Sequence, residues 1–212
     1  MPEPTQLQPL PPGAFRRWYG GWEPLTPHTI GDFMAGFDRP WWIVGGWSIE
    51  VVTGVARDHE DMDISMLASD AEAFRRFLGD RWTPWNVDDG WFRPFDDRFA
   101  DIRPDSQLWV RESAVAPWVL DVPLTPDTDG QWTNKRWREQ VLPVEDVTWV
   151  SDDGLRYQRP EVTLMFKAAQ SRPQDRADAR VALPLFDDAQ RRWLRETVRQ
   201  IQPEHPWVTE LR

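Results

Sequence analysis

The chain has 212 residues, a formal net charge of −10 and no cysteine. That length allows one domain, or a main domain with a small appendage. Without cysteine there are no disulfides, no thiolate catalysis and no cysteine-ligated zinc, and the negative balance repels phosphate backbones, so nucleic acid is not an expected partner. The acidity suits a cationic partner, and solubility accounts for it as well.

Residues 1–13 hold five prolines and no periodic pattern, and read as a flexible tail. The opening MPEPTQLQPL has neither the basic nor the apolar region of a signal peptide. No apolar run approaches the roughly 20 residues that span a bilayer. The expectation is a cytoplasmic protein with no membrane contact.

TPHTIGDFMAGF predicts a helix, with Thr26 as N-cap, Pro27 at the first helical position and Ile30, Phe33, Met34 and Phe37 at helical spacing. WWIV (41–44) reads as a buried strand. Residues 46–54 read as a buried helix ending near Gly54. DMDISML (61–67) alternates, with Asp61, Asp63 and Ser65 on one face and Met62, Ile64 and Met66 on the other, which predicts a half-buried strand. SDAE (69–72) has the form of a capping box opening a helix to about Leu78. The stretch 81–106 suggests strands with long loops. LWVRE (108–112) and WVLDVPL (118–124) are strands, and 147–150 is a weak one. From Pro160 three helical segments follow. The fold class is therefore α/β or α+β, with a mixed sheet flanked by helices over residues 14–157 and a small helical region over 158–212.

Two carboxylates at i and i+2 on a strand point the same way, with Cα atoms about 6.5 Å apart, and repel each other. A divalent cation such as Mg²⁺ removes that penalty; a solvent-facing strand edge is the other reading of Asp61 and Asp63. Asp121 is the one polar residue in WVLDVPL, and a lone carboxylate in a buried strand needs an arginine or a metal. If its strand lies beside 61–67, three carboxylates converge, a set able to hold two metal ions for phosphoryl or nucleotidyl transfer. Gly45 and Gly46 stand at a strand-to-helix junction, where phosphate can approach backbone and helix N-terminus; tight turns use such pairs too. DHEDMD fails as an EF-hand, since the sixth and twelfth positions are Asp63 and Ser69. Of 25 basic residues only Lys135 and Lys167 are lysines, which makes each more informative.

Strand, Gly-Gly, helix, loop, Asp-x-Asp strand and a later strand Asp together resemble the nucleotidyltransferase superfamily, through Val44-Gly45-Gly46 and Asp61-Met62-Asp63-Ile64. The spacer is slightly longer than the commonest form. The likeness is closer to the aminoglycoside 2''-nucleotidyltransferase-like branch, related to lincosamide nucleotidyltransferases. It rests on Gly45-Gly46-Trp47-Ser48-Ile49-Glu50, on Arg57-Asp58-His59-Glu60-Asp61-Met62-Asp63, and on Pro160-Glu161, Lys167, Asp175 and Asp178. It covers roughly residues 27–200, with 85–110 undiagnostic.

The resemblance implies a nucleotidyltransferase fold and Mg²⁺-dependent transfer of a nucleoside monophosphate, AMP from ATP, to a hydroxyl of a small cationic molecule, an aminoglycoside. Asp61, Asp63 and Asp121 would bind two metal ions, with Asp121 ligand or base. Gly45, Gly46, Ser48, Arg57 and Lys167 would meet the nucleotide. Other acceptors stay open (a lincosamide, a protein hydroxyl, an RNA 3' end), as does a non-catalytic nucleotide-binding role in a toxin–antitoxin pair. From the residues themselves, Lys167 falls on the polar side of its helix, either solvated or facing phosphate. Glu50 wants a partner, with Arg57 a candidate. His59 is a loop anchor or a phosphate contact. Asp175 and Asp178 suit a first helical turn. The acidic pairs Asp88-Asp89 and Asp96-Asp97 could draw an ammonium-rich substrate or be merely solvated.

Overall fold

A computed structural model of the protein describes residues 12–88, 91–170 and 172–211. The expected tail therefore falls largely outside the described residues, and helix α1 (Pro12–Tyr19) already starts inside it. Helix α2 (Pro27–Phe33) begins as its sequence predicts, with the Thr26 amide donating to the Thr29 hydroxyl at 2.9 Å. Strand β1 (Trp41–Ile43) runs directly into α3 (Gly45–Thr53), which stops where Gly54 takes φ 66°. After β2 (Ile64–Met66), a 3₁₀ turn over Ala68–Asp70 delays α4 to Ala71–Leu78. That delay undoes the expected capping box. The Ser69 amide is taken by Asp127 at 3.0 Å, and Glu72 turns to Arg75 and Arg76.

A hairpin of β3 (Thr83–Asp88) and β4 (Trp91–Pro94) leads to β5 (Gln107–Arg111) and β6 (Leu120–Pro123). Three short strands follow, β7 (Asp127–Thr128), β8 (Gln131–Thr133) and β9 (Val141–Leu142), then α5 (Val144–Val147), β10 (Thr148–Val150) and β11 (Arg156–Gln158). The chain ends in α6 (Pro160–Ala168), α7 (Pro173–Ala182), α8 (Asp188–Ile201) and α9 (Trp207–Glu210). Strands β7 to β9 and β11 are not read from sequence, because two or three residues carry too little alternation to register.

The architecture is mixed α+β. One sheet has the order β10-β11-β1-β2, the second β4-β3-β5-β6, and the third β7-β8-β9. Only β1 and β11 pair in parallel within these sheets. The first two sheets meet edge to edge. Parallel bridges Asp63↔Asp121 and Leu67↔Thr125 join β2 to β6, through the Asp121 amide on the Met62 carbonyl (2.9 Å) and the Thr125 amide on the Met66 carbonyl (3.0 Å). The expected strand 61–67 is thus regular only over 64–66. Its polar face is no solvent edge either, since buried Ser65 bonds the Pro123 carbonyl at 2.6 Å and the Thr125 hydroxyl at 2.8 Å.

Apolar side chains pack on both sides of this joined sheet. Ile30, Ile43, Ile64, Phe74, Leu108 and Leu120 fill one layer. Trp42, Val44, Leu164, Ala182 and Val198 fill the other, where α6, α7 and α8 cover the sheet. Among the described residues no helix is long and apolar enough to cross a membrane.

Candidate active site

The seam between β2 and β6 sets the carboxylates. Asp63 and Asp121 are bridge partners, and Asp61 reaches in from the preceding loop. One oxygen of each lies within 4.8 Å of the others; Asp121 is buried and the other two are half-buried. Gln107 Nε2 donates to one Asp121 oxygen and the Trp109 side chain also bears on this carboxylate, while Oδ1 has no close hydrogen-bond partner among the described residues. Among the described residues no arginine pairs with Asp121. Arg111, one strand over, is instead clasped between Trp85 and Trp118, 4.3 and 3.9 Å from their ring centroids.

Loss of hydration and mutual repulsion hold all three protons more tightly than usual. Asp63 is pushed up to about 7, first by desolvation and then by Asp61. Asp121 is raised well above the ordinary carboxylate range by desolvation, then by Asp63 and Asp61. Asp61 is raised by desolvation and by Glu60. A hard divalent cation reverses this by replacing the protons, so oxygen donors converging with an orphaned lone pair fit Mg²⁺.

The glycine pair makes room first for the protein's own side chains. Gly45 sits at φ +67°, and a Cβ there would collide with the Asp63 carboxylate. A Cβ on Gly46 would strike the Arg57 guanidinium and the His59 ring. Helix α3 is headed by Val44, which supplies no side-chain cap, so its first amides face the site without one.

Ser48 departs from expectation. It is fully buried, donates to the Gly45 carbonyl at 2.9 Å and shares a 2.7 Å bond with the Thr163 hydroxyl. Its hydroxyl stitches α3 to α6. Nor do Glu50 and Arg57 form an ion pair. Glu50 accepts from the Arg57 backbone amide at 3.2 Å and lies 2.8 Å from His59 Nε2, while the Arg57 guanidinium reaches Asp178 at 3.2 Å. His59 is held below its ordinary proton affinity by burial, which Glu50 opposes.

Lys167 is not solvated. It is 8% exposed, with Nζ 3.1 Å from Asp175 and 2.8 Å from Asp178. Helix α7 folds back on α6, so the polar side of α6 meets those acids instead of water. Asp175, which also takes Arg172 at 2.9 Å, and Asp178 are both 3% exposed, so ion pairing and not the helix dipole accounts for them. The acidic loop at 96–97 is neutralised locally: Asp96 binds Arg98 at 2.6 Å and Asp97 binds Arg75 at 2.8 Å. The Asp88-Asp89 side chains lie outside what the structure describes.

Between these parts lies a cleft of about 190 Å³ beside Gly45 and Asp63, walled by Lys135, Arg136, Lys167 and Arg172. Sequence reasoning did not place Lys135, Arg136 or Arg172 here; the scarcity of lysine was the one signal for Lys135.

Residues 28–96 match the family model described as aminoglycoside-2''-adenylyltransferase. No curated protein sequence matches the chain. Among solved structures, the lincosamide antibiotic adenylyltransferase LnuA, lincomycin-bound, is similar at TM-score 0.53 and 18% identity, over 77% of this chain and 100% of that one. The solution structure of the antibiotic-resistance factor ANT(2'')-Ia is similar at TM-score 0.50 and 16% identity, over 82% and 89%. The chain carries the nucleotidyltransferase fold, and the segment with Gly45, Gly46, Asp61 and Asp63 matches the aminoglycoside-2''-adenylyltransferase family model.

Proposed function

We propose that this protein is a Mg²⁺-dependent nucleotidyltransferase that moves AMP from ATP to a hydroxyl of a cationic small molecule, an aminoglycoside, and releases pyrophosphate. The observation that carries the proposal is the convergence of Asp61, Asp63 and Asp121 beside a cation-lined cleft at an uncapped helix N-terminus. The adenylyl group and the aminoglycoside acceptor are supported by the match over residues 28–96.

Asp61, Asp63 and Asp121 would hold the metal, two ions in the fullest form, which supplies charge neutralisation when bound. The first amides of α3 and the cations of the cleft orient the triphosphate. The acceptor oxygen forms its bond to the α-phosphorus as the bond to the bridging oxygen breaks, and pyrophosphate leaves with that electron pair. Asp121, set beside Asp63 at the seam, takes the hydroxyl proton.

The test is a pyrophosphate-release screen of four nucleoside triphosphates against aminoglycosides and lincosamides with Mg²⁺. Release with ATP and an aminoglycoside is expected. Flat traces throughout would overturn the proposal.

A further inference from the structure

The two cationic walls of the cleft differ. Lys167 and Arg172 are already ion-paired, Lys167 with Asp175 and Asp178 and Arg172 with Asp175. Lys135 has no ion pair and no hydrogen bond from its ammonium among the described residues; its Nζ lies over the Phe166 ring, 5.4 Å from the centroid. It is half-buried, and burial together with the charge of Arg136 holds it below the usual lysine range.

Nor is Lys135 a loose surface side chain on a mobile loop. It leaves β8 on a turn pinned by Asn134, which is fully buried. Asn134 donates to the Gln140 side chain at 2.8 Å, accepts the Arg136 amide at 2.9 Å and donates its own amide to the Gln140 carbonyl at 3.0 Å. A partly desolvated ammonium on a rigid turn, facing a cleft with no contact ion pair among the described residues and only the more distant fields of Asp105 and Asp121 acting on it, retains a demand for negative charge. The ribose and base of a nucleotide are neutral. The terminal phosphates carry most of its charge and are the part that answers the demand.

We infer that Lys135 is the contact for the β- and γ-phosphates of the nucleoside triphosphate, with Arg136 beside it, and that Lys167 is a brace between α6 and α7. This rests on the nucleotidyl-transfer reading above. It places the leaving pyrophosphate on the β8–β9 turn and not on the C-terminal helices.

The experiment is calorimetric titration with inorganic tripolyphosphate and with ATP, each with Mg²⁺. Lys135→Met keeps the aliphatic stem on Phe166 and drops the charge. It should weaken both ligands about tenfold to a hundredfold, the loss typical of one charge-assisted hydrogen bond, and Lys135→Arg should recover most of it should Lys135→Met fold poorly. Arg138→Ala, which removes a charge paired with Asp105 from the same turn, should bind as the wild type does. Equal tripolyphosphate affinity in wild type and Lys135→Met overturns the inference and leaves nucleotidyl transfer standing. An equal loss in Arg138→Ala reduces the effect to net charge and also overturns it. A wild-type chain that binds neither ligand removes both readings.

Discussion

His59 lies flat on Trp47, ring centroids 3.6 Å apart and planes 11° from parallel. Its Nε2 faces Glu50 at 2.8 Å, and the Trp47 indole donates to the Asp61 carbonyl at 3.2 Å. The approach to Asp61, the first of the three aspartates proposed to hold metal, is thus tied to α3 through three side chains. Glu50→Ala leaves the Arg57 amide and His59 without their acceptor. Urea unfolding should show a loss of about 1–3 kcal/mol, and turnover should fall with it; unchanged values for both would refute the bracing role.

Two glycines separate backbone strain from site geometry. Gly45 at φ +67° and Gly54 at φ +66° hold the same left-handed conformation, but only at Gly45 would a Cβ meet Asp63, while at Gly54 it meets open space. Alanine at either position should cost about 1–2 kcal/mol in the backbone. Only Gly45→Ala should also lose transfer activity, and matched activities in the two variants would count against the Asp63 assignment.

Asp63→Asn should reduce AMP transfer at least about a hundredfold, the upper range for removing a residue one step out from a metal, with the fold kept. Without divalent ion at pH 8, its melting temperature should exceed that of the wild type, because the amide brings no charge into the carboxylate cluster. Normal pyrophosphate release from this variant would sink the metal site.

The same cluster sets a pH window. Asp63 titrates at about 7 in the folded chain and near 3.8 in its ordinary state, so the folded form holds the extra proton between those limits. The stability it contributes is complete below about pH 4 and is lost as pH rises through about 7. In EDTA the protein should melt lower at pH 8 than at pH 5, and Mg²⁺ should close the gap at pH 8 by binding the deprotonated set. A melting temperature in EDTA that climbs over this range would contradict the assignment.

Lys167→Met should cost about 2–3 kcal/mol, since it takes the shared cation from two buried carboxylates and leaves Asp175 to Arg172 and Asp178 to Arg57. Asp175→Asn with Asp178→Asn in the same chain should restore part of the loss. Guanidinium unfolding of the three variants provides the comparison, and a mild effect from Lys167→Met alone would argue against the brace.

The site was legible in part. Asp61 and Asp63 stood out through a spacing of two on a strand, and Asp121 through its isolation among apolar neighbours, because both signals are local. The resemblance to nucleotidyltransferases grouped these three residues, which the fold brings together. Ser48, Arg57 and Lys167 were read toward the nucleotide, yet each is spent on a contact 115, 121 or 8 residues away in sequence. A helical wheel shows which side of α6 is polar but not that α7 folds onto it. The acids opposite Lys167, and the turn that delivers Lys135, follow from tertiary packing with no period of its own.

The seam between β2 and β6 has a consequence for how activity can fail. Side chains alternate along β6, so Leu120 and Val122 enter the core by the same pleat that turns Asp121 toward Asp63. A slip of one residue would expose two leucine- and valine-sized faces while swinging the carboxylate inside. Aiming the acid and burying its neighbours are a single event. A variant that loosens this edge should therefore yield a mixture of fully competent and fully dead molecules, not a uniform population of slower ones.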